Sequence, residues 1–181
     1  MTEIITAIDA WTANRYAYTK KLYGFSELVK KSSSEGKEDI FPMTIPGNPS
    51  SRREKVSLDD RYTFITWIRW AQPATYSASE DWSFGKSEAR IGEIPLRLIL
   101  AHKTILGEDV VFDFINAFPS KFTVSGFQFV FINGSPSIDP DHDTIMQTEL
   151  NGTNYEKHRF DWNVYVLNIN IQFLECLELT P

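Results

Sequence analysis

Three carboxylates and an imidazole fall within five residues, Asp139-Pro140-Asp141-His142-Asp143. Oxygen and nitrogen donors at that density could hold a divalent ion. A helix–loop–helix calcium site, however, places acids at alternate positions, then a glycine and a closing glutamate. That order is missing here. With prolines at 136 and 140, the run reads as a solvated turn, and no metal site is assigned to it. The remaining histidines, His102 and His158, belong to no zinc-protease, nucleophile-elbow or phosphate-loop motif. Ser83-Phe84-Gly85 and Asn133-Gly134 supply glycines for turns without a dinucleotide fingerprint around them. No catalytic residue and no cofactor is therefore assigned. A Ser-His-Asp set assembled in space leaves no sequence signature, so a hydrolase built near Asp139–Asp143 and His158 stays open as an alternative. The single cysteine, Cys176, lies in an apolar stretch with no histidine nearby. It reads as a small buried hydrophobe in a chain suited to a reducing compartment.

The aromatics offer a different chemistry. Trp67, Trp70, Tyr76, Trp82 and Phe84 crowd one segment. Trp67 and Trp70 are expected in the core. Tyr76, Trp82 and Phe84 lie among polar residues, where exposed rings could stack on a sugar or anchor a protein partner. They are the candidate partner contacts, and a carbohydrate- or protein-binding module is a second alternative.

The elements that must position these residues follow from hydrophobic periodicity. Ile4, Ile5, Ile8 and Trp11 recur at helical spacing, which predicts a helix over 3–13 with Thr2 as its cap. Residues 15–31 lean towards strand, with Gly24 as a break. Residues 38–46 read as an extended segment that Pro42 and Pro46 push to a sheet edge. Strands are predicted at 60–70, 89–103, 127–132 and 162–175, with a short one near 144–150. The clearest is the last, where Tyr165, Leu167, Ile169, Ile171 and Phe173 alternate with Asn168, Asn170 and Gln172. Both faces of 60–70 carry apolar residues, so both sides of that strand are expected to be covered. Val110, Val111, Phe114, Ile115 and Phe118 mark a helix over 108–118, stopped by Pro119. Long loops are expected at about 32–58, 71–88 and 133–160. Loops of that length are often functional or become ordered on a neighbour.

With 181 residues, 42% of them apolar, the chain suits one domain spanning 1–181 with a real core. Its net charge of −6 disfavours a grip on phosphate backbones. The first residues lack the basic and apolar regions of a signal peptide. No apolar run approaches the roughly 18–20 residues that cross a bilayer, and no membrane partner is expected. The fold class expected is α+β: a mainly antiparallel sheet with long hairpin strands, an N-terminal helix and one helix packed on the sheet.

This layout resembles bacteriophage tail-terminator and head–tail completion proteins of the lambda type. The resemblance rests on the helix around Ile4–Trp11, the strands DRYTFITWIRW and ARIGEIPLRLILAHK, the helix EDVVFDFINAF and the terminal NVYVLNINIQF. It covers most of the chain and carries no diagnostic motif, and segment 15–58 is longer than the family's usual entry to its sheet. The resemblance implies a structural, non-enzymatic virion protein, assembled in the host cytoplasm. Such a subunit forms a ring, often hexameric, that caps the tail tube and joins it to the head connector proteins. DNA passes through such a ring without specific binding. Six copies at −6 each would carry about −36, which repels phosphate and suits passage without retention.

Overall fold

The computed structural model describes residues 2–32, 38–46, 51–84, 87–124, 129–132, 134–141, 144–145, 147 and 160–178. Side chains are described within these, outside 38–39, 77–84, 87–90, 129, 131 and 175–178. In chain order the elements are helix α1 (Thr2–Arg15) and strands β1 (Lys20–Ser32), β2 (Glu38–Thr44), β3 (Phe64–Trp70), β4 (Thr75–Phe84) and β5 (Ser87–Lys103). Helix α2 (Asp109–Ala117) follows, then strands β6 (Lys121–Phe122), β7 (Phe129–Ile132), β8 (Ser137–Ile138) and β9 (Trp162–Glu178). Among the described residues all nine strands belong to one sheet, whose main path runs β2-β1-β3-β5-β9-β7-β6. The α+β class and the dominance of the sheet are as expected. The sheet is mixed rather than wholly antiparallel, because β1 pairs with β3 in parallel.

The centre is the antiparallel pair of β5 and β9. They match residue for residue from Lys103↔Trp162 to Ser87↔Glu178. Direct cross-strand partners share a face, so this register divides the sheet into two sides. On one side Leu96, Leu98 and Leu100 of β5 lie beside Ile169, Leu167 and Tyr165 of β9. Both helices cover this helix face. Ile4, Ile5 and Ile8 of α1 and Val110, Val111 and Phe114 of α2 are buried in one cluster with those leucines. Trp11 locks the helices together, edge-on to Phe114 at 5.2 Å and to Phe118 at 5.1 Å. Lys20 donates from Nζ to the carbonyls of Ala13 and Tyr16. It thereby satisfies acceptors that the end of α1 leaves open.

The opposite side, the loop face, is apolar over only part of its area. Ile65, Trp67, Ile99, Ala101, Trp162, Val164 and Val166 form a second buried cluster. Irregular chain covers it, through Val56 and Leu58. This bears out the two-sided burial expected of strand 60–70. Trp67 is fully buried, but Trp70 is 37% exposed. It ends β3 and rests edge-on against Phe25 at 5.5 Å, so only one of the two tryptophans is a core residue.

Several other expectations need correction. The stretch 71–88 is not a loop. Residues 75–84 form β4, which pairs antiparallel with β5 from Thr75↔Glu93 to Phe84↔Ser87. Tyr76, Ala78, Trp82 and Phe84 alternate with Ser77, Ser79, Asp81 and Ser83, interrupted only by Glu80, and the pairing of its backbone with β5 makes it a strand. Within 133–160, β8 and a turn precede a helical start at Thr144 and Ile145, where a strand was predicted. The Ile145 amide donates to the Asp141 carbonyl at 3.1 Å, a helical bond, and Ile145 packs against the loop-face cluster. Thr2 lies inside α1 rather than at its cap. The span 32–58 includes β2, the extended segment expected at 38–46, paired with β1. The far side of β2 is partly closed by the Thr44 and Val56 amides bonding to the Glu54 and Pro42 carbonyls.

Two glycines are required by their surroundings. Gly24 has φ 67° where β1 shifts register against β3, the break anticipated from sequence. Gly92 faces Phe173 across the central pair, and a Cβ there would lie 2.2 Å from Phe173 Cζ. We predict that Gly92→Ala costs about 1–3 kcal/mol in urea unfolding, the usual penalty of overpacking. In a Phe173→Leu background the same change should cost clearly less. Equal costs in both backgrounds would show that the ring does not exclude the methyl group.

Candidate functional site

Of the three aromatic candidates, Tyr76 is 56% exposed, on the helix face of β4 beyond the helices. Its ring is edge-on to Phe173 at 6.0 Å, which fixes one side of it. Trp82 and Phe84 fall on β4 by backbone, and their side chains lie outside the described residues. The three are thus strand residues, not loop residues. Cys176 pairs with Ala89 through β9, and its side chain also lies outside the description.

The acidic run divides. His142, Asp143 and His158 lie outside the described residues. Asp139, expected in a solvated turn, is 5% exposed. Its Oδ2 accepts from Arg97 Nε at 3.3 Å and its Oδ1 from the Asp141 amide at 3.0 Å. Its own amide donates to the Val166 carbonyl at 2.8 Å. A buried carboxyl group costs free energy unless its oxygens are hydrogen-bonded. Here these bonds fasten the turn after β8 to the central pair. Among the described residues no three His, Cys, Asp or Glu side chains converge as metal ligands. His102 is fully buried, stacked on Tyr165 at 5.8 Å, and burial lowers its pKa. It is a neutral core residue at physiological pH.

The Arg97–Asp139 pair opens onto a pocket of about 360 Å³ on the loop face. Its position follows from topology. On one flank of the central pair, β3 gives way to β4 over residues 71–74, beside Pro95. On the other flank, β8 gives way to β7 beside Asn170. Pro95 and Asn170 are direct cross-strand partners, so both flanks change strand at the same level. The sheet is narrowest there, and a seam is left open. Asn168, Asn170, Ser135 and Ser137 line it with Arg97. The sequence showed the polar alternation of β9 but not this pocket, because its two charged residues lie far apart in the chain.

A second concavity, about 340 Å³, lies between α1 and β1. Asp9, Gly24, Thr44, Arg52 and Glu54 contribute to its walls. A Cβ at Gly24 would lie 3.4 Å from Asp9 Oδ2, in ordinary contact with the carboxyl. Burial pushes the Asp9 pKa up to about 6.

The third feature is an edge. Among the described residues β4 pairs only with β5. One side of this ten-residue strand is therefore without a strand partner among them.

Asp9 generates a pH-dependent prediction. Well below its ordinary value of 3.8 the carboxyl is protonated in folded and unfolded chains alike and contributes little. As pH rises from 3.8 to about 6 the unfolded chain ionises while the folded chain keeps its proton, so stability falls across that window and levels off above it. Asp9→Asn is therefore expected to stabilise by about 1–2 kcal/mol at pH 7–8, with the gain shrinking towards pH 4. Urea titrations across that range check it, and a gain independent of pH would refute it. No protein-family model and no curated protein matches the chain.

Proposed function

We propose that this chain is a structural virion subunit that assembles with copies of itself into a ring. Its place is that of a tail terminator or head–tail connector, capping the tail tube and joining it to the head. The observation that carries this reading is the edge of β4. A long strand with one side lacking a strand partner offers a row of backbone donors and acceptors to another chain. The edge formed by β6 and β7 lies at the opposite side of the sheet. Two different edges on one subunit suit head-to-tail contacts, which close into a ring when the rotation per subunit permits. The order of elements also supports it: an N-terminal helix, paired strands, a helix on the sheet and a closing strand. The net charge of −6 suits a lumen through which DNA slides.

Mass photometry of the purified protein tests the reading. Particles of several times 20.8 kDa are expected, about 125 kDa for six copies. Ser77→Lys with Ser79→Lys places charges on β4 and should shift the distribution towards single chains without changing the circular dichroism spectrum. A particle that stays at one chain at all concentrations, with or without tail tubes, would overturn the proposal.

A further inference from the structure

We propose that the seam pocket binds an oxyanion, the carboxylate or phosphate group of a small ligand, through Arg97. A guanidinium carries five N–H donors in a fixed fork. Arg97 gives Nε to Asp139, and that bond fixes the plane of the fork. Its two Nη groups have no hydrogen-bond partner among the described residues, and the side chain keeps 25% of its exposure at the pocket. Asp139 already receives one donor on each oxygen. It acts as the buried clamp behind the arginine rather than as an acceptor for a ligand.

The rest of the lining matches an acceptor-rich occupant. The side chains of Asn168, Asn170, Ser135 and Ser137 make no hydrogen bond to the described residues. Two amides and two hydroxyls can all donate. The volume holds a small molecule rather than a chain. Binding here does not depend on the assembly reading, since every lining residue belongs to one subunit.

Isothermal titration calorimetry at constant ionic strength tests the proposal, with inorganic phosphate, acetate and glucose as probes. Saturable binding of phosphate or acetate is expected, with none for glucose, and the stronger of the two identifies the kind of oxyanion. Asn170→Asp puts a negative charge at the rim without touching the Arg97–Asp139 pair. It should weaken binding at least tenfold while leaving the melting temperature without ligand unchanged. Arg97→Gln should abolish binding, and Asn170→Asp remains decisive if that variant folds poorly. Absence of anion binding, a preference for glucose, or equal affinity in Asn170→Asp would each overturn the proposal.

Discussion

The register of β5 against β9 is the constraint on which the rest of the structure depends. Each strand has 17 residues, and every residue of one faces a residue of the other. Because side chains alternate, a slip of one position would turn every side chain of the slipped strand to the other face. The leucines of β5 and the Tyr165–Phe173 row of β9 would then lie on opposite faces and could not be buried under the same helices. The same register places Arg97 beside Asn168, and Pro95 beside Asn170. Core and pocket are consequences of one alignment.

The two faces resolve that alignment differently. The helix face is apolar along nearly its whole length and is covered by α1 and α2, which meet through Trp11. On the loop face, β9 is apolar from Trp162 to Val166 and becomes polar at Asn168. Irregular chain suffices to cover the short apolar part. Lys103 marks its end, its ammonium 4.6 Å from the Trp162 ring and paired with Asp60. Beyond Val166 the sheet needs no cover, and there the seam opens.

What was legible in the sequence was what periodicity records. The helix around Ile4–Ile8, the stripe Val110–Phe114 and the alternation of 162–175 each specify one face to bury, and each forms the element expected. Strand β4 was hidden because Ser77, Ser79, Asp81 and Ser83 supply turn-like composition, whereas its strand state comes from pairing with β5. Asp139 was misread for a related reason. Its neighbours Pro140 and Asp141 describe a turn, but its burial depends on Arg97, 42 positions away. Local composition describes the backbone's preferences. It does not reveal which distant side chain will compensate a charge.

The central pair also sets an order of events during synthesis. Its partners are roughly 60 to 90 residues apart in the chain, and such distant pairing is slow to close. Strand β5 leaves the ribosome long before β9 exists. Until then β5 has one empty side in the middle of the future sheet, and the helix-face cluster lacks the wall that β9 supplies. A nascent chain thus carries two tempting edges, one belonging to its own last strand and one at β4. Completion of residues 162–178 removes the first edge and leaves the second. The last strand therefore closes the middle of the sheet, while β4 keeps one side without a strand partner among the described residues.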